Sequence, residues 1–366
     1  MIAALCAHTT PLISLHLSFR RSLHLYLGYL LQHHNKIVPS TARRRKRLGD
    51  HPMSKHIFLL LFVLTFPLII LSMVSLHAIV TTPPKTADAS GDASTPPLWT
   101  ILVHGLDSSS HTWENTAPQL VHSPCLAVDQ RGCGYSPLGD PADFSQQSLV
   151  DDLHHAIGQH CSDGARLVLL GHSLGGRIVL AYAARHAAQV AAVIIEDMDI
   201  SIRDPTAHGI IQLKQYDGVF ERQRATKQDM VQALSDVGYP DSFIDKALAT
   251  GRIVPPATAN GTWWSQVNPD FRKLCYPHIL STDKGHIDCQ TLAKTSPYIP
   301  CHVLVAGAEG TVCRDDSIQE MQDIMGNQLT VHRFPTAGHS IHSTASEEYL
   351  ALVNDIIRAA KMSSSL

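Results

Sequence analysis

Between residues 98 and 362, short runs of consecutive apolar residues alternate with stretches of helical spacing. Trp99–Val103, Cys125–Val128, Leu167–Leu170, Val193–Ile195, His302–Ala306 and Thr330–Phe334 read as strands. They are apolar at successive rather than alternate positions, the pattern of strands covered on both faces in a parallel sheet. Ser145–Gln159, Leu174–His186, Ser317–Met325 and Ser346–Lys361 carry helical patterns. The alternation predicts an open, mostly parallel α/β sheet with helices on both faces and right-handed crossovers. From Asp199 to Pro300 the rhythm breaks into helical patches, Gln223–Asp236 and Asp241–Ala249, without a recognisable strand. A connection that long has structure of its own, so a helical cap inserted at about 200–300 is expected.

The first hundred residues differ. Ile57 to Val80 is almost continuously apolar, interrupted by Thr65, Pro67, Ser72, Ser75 and His77. Roughly 20 apolar residues suffice to cross a bilayer as a helix. Arg43, Arg44, Arg45, Lys46 and Arg47 precede it, and a basic flank keeps that side cytoplasmic. The expectation is a transmembrane signal-anchor over 57–80, leaving a single-pass membrane protein with its globular domain lumenal or extracellular. The alternative is a signal peptide starting at Met53 and a secreted product; signal-peptide cores are shorter, about 7–15 residues. Residues 1–56 form a segment, basic towards its end, with no assigned fold. Residues 81–97, rich in Pro, Thr, Ser, Ala and Asp, read as a flexible linker.

Composition narrows the function classes. Of 366 residues, 44% are hydrophobic and 17% charged, enough for a large core. The formal net charge of −3 gives no field that favours nucleic acid. Eight cysteines lack C-x-x-C or other zinc spacing, so no metal is implied. Asp151, Asp152, His154 and His155 fall on a helix, where they read as a solvated polar face. Asn260-Gly261-Thr262 is an N-glycosylation sequon, and the neighbouring Trp263 and Trp264 either line the cap or pack within it.

The residues with chemistry sit at strand ends. Gly171-His172-Ser173-Leu174-Gly175-Gly176 joins a strand directly to a helix. Glycines there permit a sharp turn that lifts the Ser173 hydroxyl above the sheet edge, as a nucleophile requires. The helix start behind it offers free N–H groups to a developing oxyanion. His104-Gly105-Leu106-Asp107 ends the first clear strand. Acyl transfer needs two donors on the tetrahedral oxygen; the backbone N–H groups of Leu106 and Leu174 are the candidates. A serine needs a base at neutral pH. Gly338-His339 follows the last strand, which singles out His339 among 23 histidines, with His342 as the weaker alternative.

Together these blocks, in order and spacing, resemble the α/β-hydrolase superfamily, in its serine esterase and lipase branch with a helical cap. Asp129-Gln130-Arg131-Gly132-Cys133-Gly134-Tyr135-Ser136 is similar to the D-x-R-G-x-G-x-S loop of that branch, and Asp129 and Arg131 read as structural. The resemblance implies the α/β-hydrolase fold, a nucleophile–acid–histidine unit in that chain order, no cofactor, and a small-molecule acyl ester or thioester as substrate. Ser173 stands where dehalogenases and epoxide hydrolases of this fold carry Asp. An acyltransferase using the same residues, or a non-catalytic binding protein on the scaffold, are the rival readings.

The acid departs from the family pattern. It usually follows the next-to-last strand as G-x-x-D, but here that stretch reads Gly307-Ala308-Glu309-Gly310. Some esterases of this fold take the acid from the preceding strand, and Asp197 falls at the matching place. Asp197 is the expected acid; Asp315, Asp316, Glu309, Glu196 and Asp199 remain open.

Overall fold

A computed structural model describes residues 73–83, 96–207, 211–295, 298–308 and 311–363. Among them, seven strands form one sheet in the order β1-β3-β2-β4-β5-β9-β10. These are β1 (Ala78–Thr81), β2 (Leu98–Val103), β3 (Cys125–Val128), β4 (Arg166–His172), β5 (Val190–Glu196), β9 (Cys301–Ala306) and β10 (Leu329–Phe334). Every neighbouring pair is parallel except β1 on β3. The unbroken apolar runs have a direct cause. Leu167 and Leu169 of β4 enter one core layer, while Val168 and Leu170 enter the other. Both faces are dry, and each fully buried side chain of this size contributes about 1.5–3 kcal/mol.

Helices α1 (Gln146–His160), α2 (Leu174–Arg185) and α7 (Asp315–Met325) cover the first face, and α9 (Ser346–Met362) covers the second. Ser145 caps α1 by accepting from the Ser148 N–H, and Ser148 reciprocates to the Ser145 backbone.

The inserted cap lies between β5 and β9 and has its own core of Phe220, Met230, Leu234, Val237, Tyr239, Ile244 and Ile253. Helices α3 (Lys227–Asp236), α4 (Asp241–Ala249), α5 (Pro269–Cys275) and α6 (Lys284–Ala293) supply its helical part. The all-helical expectation needs correcting, however. β6 (Gln223–Arg224), β7 (Ile253–Val254) and β8 (Trp263–Ser265) form a small antiparallel sheet. Strands of two or three residues are too short to leave an alternating pattern in sequence.

The expected membrane helix over 57–80 is also corrected. Ala78–Thr81 is an edge strand paired with Cys125–Val128. Val74 and Leu76 are buried in the main core, and the His77 ring meets Asp129 at 2.8 Å. The end of that apolar run therefore belongs to the sheet domain, and residues 73–80 are no part of a membrane-spanning helix. No helix among the described residues is long and apolar enough to cross a membrane, so the single-pass placement falls with it. Residues 57–72 and the basic cluster lie outside the described residues.

Arg131 and Asp152, each 1% exposed, form a buried ion pair at 2.5 Å. Asp152 also accepts from the Val74 N–H at 2.8 Å, tying down the segment before β1. Asp152 is thus no part of a solvated helix face. Burial raises its carboxyl despite the opposing pull of the Arg131 hydrogen bond and charge. Asp152→Leu alone should destabilise by about 3–5 kcal/mol because it strands the Arg131 charge, whereas Arg131→Met/Asp152→Leu together should cost far less. Urea midpoints of the two variants beside wild type test this; equal losses for single and double variants would contradict it.

Candidate active site

Ser173 occupies the turn between β4 and α2 with φ 53° and ψ −125°, a conformation strained for a residue with a Cβ. The turn is sharp because backbones touch across it. A Cβ on Gly171 would lie 2.3 Å from the Gly175 carbonyl, and one on Gly175 would lie 2.2 Å from Val103 O. Ser173 N–H donates to Glu196 O at 2.9 Å, stitching the elbow to the end of β5. Ser173 is 8% exposed, and its hydroxyl makes no hydrogen bond among the described residues. Catalytic hydrogen bonds are often absent before substrate arrives.

The loop His104–Asp107 packs on this elbow: a Cβ on Gly105 would come within 2.9 Å of Ser173 Cβ. His104 is fully buried, donates from Nδ1 to Gly105 O at 2.7 Å and accepts Gln130 N–H on Nε2 at 3.0 Å. Burial lowers its pKa, so it stays neutral and holds the loop. Leu106 and Leu174 N–H form no hydrogen bond among the described residues, leaving both available.

Asp107 follows with φ 53°. Its buried carboxylate accepts from Tyr239 OH at 2.6 Å and from Arg272 Nε at 2.7 Å, while Arg252 donates to its carbonyl at 2.9 Å. All three partners belong to the cap. Trp264 serves the same junction: its indole donates to Gly134 O at 3.1 Å and its ring stacks on Tyr135. A groove of about 390 Å³ between Tyr135–Leu138 and the cap reaches neither Ser173 nor His339.

His339 follows β10, and its Nδ1–H donates to Asp197 Oδ2 at 2.6 Å. Asp197 is fully buried with φ 43°. It also accepts Thr311 Oγ1 at 2.7 Å, Val312 N–H at 3.1 Å and Ala306 N–H at 3.2 Å. Burial alone would raise its carboxyl; hydrogen bonds from His339 and Thr311, with the His339 charge, hold it below its ordinary value. His172 bridges the elbow and His339, donating from Nε2 to His339 O at 3.1 Å with the two rings 4.7 Å apart. Burial drops the His172 pKa to about 3, so it acts as a neutral spacer.

The other carboxylates considered from sequence are engaged elsewhere. Asp315 and Asp316 are exposed and pair with Arg333 and Arg314. Asp199 accepts from Ser201, Arg203 and the Arg314 N–H. Glu196 bonds His342, through its N–H at 3.0 Å and Nδ1 at 2.7 Å, and Tyr349 OH at 3.0 Å. Glu309 lies outside the described residues. Three features had escaped the sequence reading: the Asp107 clamp, the Glu196–His342 pair and the Thr311 contact. The consecutive acids Glu196 and Asp197, set against histidines three apart, were the one available hint.

The model of the alpha/beta hydrolase family matches residues 100–352. A 2-succinyl-6-hydroxy-2,4-cyclohexadiene-1-carboxylate synthase from Enterobacter sp. is 32% identical over 100 residues, 27% of this chain and 36% of that relative. The chain thus matches little more than a third of that relative's length. An sn-1-specific diacylglycerol lipase ABHD11 from Xenopus tropicalis is 22% identical over 278 residues, 74% of this chain and 80% of the relative. Among solved structures, a marine microorganism esterase superposes with a TM-score of 0.58 at 20% identity, covering 77% of this chain and 99% of the other. That likeness speaks for the fold alone.

The Glu196–His342 pair predicts a pH dependence of stability. Burial pushes the Glu196 carboxyl up, but the charges of His342 and His172 and the His342 hydrogen bonds bring it to about 2, from an ordinary 4.5. The stability it contributes is present above pH 4.5 and lost as the pH falls towards 2. Glu196→Gln should flatten the acid limb by on the order of 3 kcal/mol. Urea unfolding at steps between pH 6 and 2 measures this; an unchanged slope in the variant would refute the pairing as a stabiliser.

Proposed function

Because this chain belongs to the alpha/beta hydrolase family, we propose that it hydrolyses a carboxylic ester or thioester through an acyl-enzyme, with Ser173 as nucleophile, His339 as base and Asp197 as acid. The observation that carries this reading is the 2.6 Å bond from His339 Nδ1 to the buried Asp197 carboxylate, set beside the strained Ser173 elbow. A histidine oriented in this way keeps its proton on Nδ1 and offers Nε2 to a serine hydroxyl. His339 takes the Ser173 proton as Oγ attacks the acyl carbonyl, and Asp197 stabilises the imidazolium that forms. Leu106 and Leu174 N–H groups hold the oxyanion. The imidazolium then protonates the departing alcohol or thiol. Water, deprotonated by His339, attacks the acyl-enzyme and releases the acid, regenerating Ser173.

The diacylglycerol lipase among the relatives favours an ester of an apolar acyl group. The cap is the element that would select it, since apolar walls set the preference of such sites.

Ser173→Ala should abolish turnover of p-nitrophenyl acyl esters and labelling by a fluorophosphonate, leaving the fold intact. Asp197→Asn should lower kcat by about 10⁴, through the wrong histidine tautomer, while Asp315→Asn and Asp316→Asn stay within about threefold of wild type. Residual activity above a tenth in Ser173→Ala, or a near-normal Asp197→Asn, would overturn the assignment. An ester series of graded chain length then reads the acyl preference.

A further inference from the structure

The acid at the end of β5 receives help from a place that sequence would not suggest. In the usual arrangement the turn after β9 carries the acid itself. Here the acid stands one strand away, and the turn after β9 reaches across to it. Thr311 Oγ1 donates to Asp197 Oδ1 at 2.7 Å and Val312 N–H donates to Oδ2 at 3.1 Å. Of the groups holding the carboxylate, Ala306 and Val312 contribute backbone N–H, which substitution does not alter. Besides His339, Thr311 donates a side-chain hydrogen bond to Asp197. It binds the oxygen that faces away from the histidine, whereas His339 binds Oδ2.

We infer that Thr311 is a positioning residue for Asp197, fixing the carboxylate's rotation and its hold on His339 by occupying the second oxygen. This rests on the reading of Asp197 and His339 as acid and base. A hydroxyl donated to Oδ1 draws charge from the carboxylate. Without it, more negative charge remains on Oδ2, and protonated His339 is favoured. The other titratable groups packed here are His172, Cys313 and, beyond His172, the Glu196–His342 pair. Burial keeps His172 neutral and Cys313 a thiol, with Asp197 and Asp199 adding to the rise of the latter. Neither changes charge near neutral pH, so a shift in His339 reports on its carboxylate.

The test compares Thr311→Val, which keeps the shape and removes the donor, with Thr311→Ser, which restores it. Each is read in the full chain by NMR titration of ¹³C-labelled histidine, with the His339 signal assigned by its loss in His339→Asn. Thr311→Val should raise the His339 midpoint by about half a pH unit, and Thr311→Ser should return most of it. On p-nitrophenyl esters, kcat of Thr311→Val should fall about tenfold with KM held, and the acid limb should move up by the same half unit. A Thr311→Val midpoint equal to or below wild type overturns the inference, as does an equal shift in Thr311→Ser. Should the midpoint shift as stated while wild type hydrolyses no ester, Thr311 keeps its role and the acyl-hydrolase reading is what fails.

Discussion

A carboxylate at zero exposure is costly unless every lone pair finds a donor, and Asp197 meets that condition by drawing on three separate parts of the chain. Ala306 ends β9, Thr311 and Val312 form the turn beyond it, and His339 follows β10. The strand order places β9 between β5 and β10, so these donors converge only if the sheet is assembled in that order and register. The positive φ of Asp197 is part of the same constraint: it turns the carboxylate off the strand axis towards the loops. The Asp197–His339 geometry is therefore a consequence of sheet assembly as much as of any local motif.

The residue before it has a parallel task. Glu196 points to the other side and fastens His342 and Tyr349. Two adjacent acids thus hold two histidines on one loop, Asp197 orienting His339 and Glu196 anchoring the turn that carries it. Glu196 ends β5 and Asp197 leaves the strand with φ 43°, so the two side chains take different directions. His172 then spans the gap between that loop and the Ser173 elbow. Its neutrality matters, because an imidazolium between two other histidines would oppose the charge that the proposed mechanism places on His339.

The cap joins the site through Asp107, directly after the candidate oxyanion donor Leu106. Tyr239, Arg252 and Arg272 reach it from three different cap segments. These contacts tie the cap to the loop that carries Leu106.

Local chemistry alone was enough to identify much of this protein. Consecutive apolar runs demanded a sheet buried on both faces, and β2, β3, β4, β5, β9 and β10 lie where those runs stand. Gly171 and Gly175 marked the elbow because no larger residue fits there, and the position of His339 after the last strand followed from chain order. What sequence could not decide were the relations between distant segments. The apolar character of Val74–Val80 is equally suited to lipid or to a sheet edge; pairing with β3 and the His77–Asp129 contact chose the sheet. The two- and three-residue cap strands have no local signal, and their pairing exists only once the cap has closed on itself. Among several acids near strand ends, Asp197 is buried and bonded to His339, whereas Asp315 and Asp316 are exposed and paired with arginines. Those are properties of packing, and packing joins residues more than a hundred positions apart.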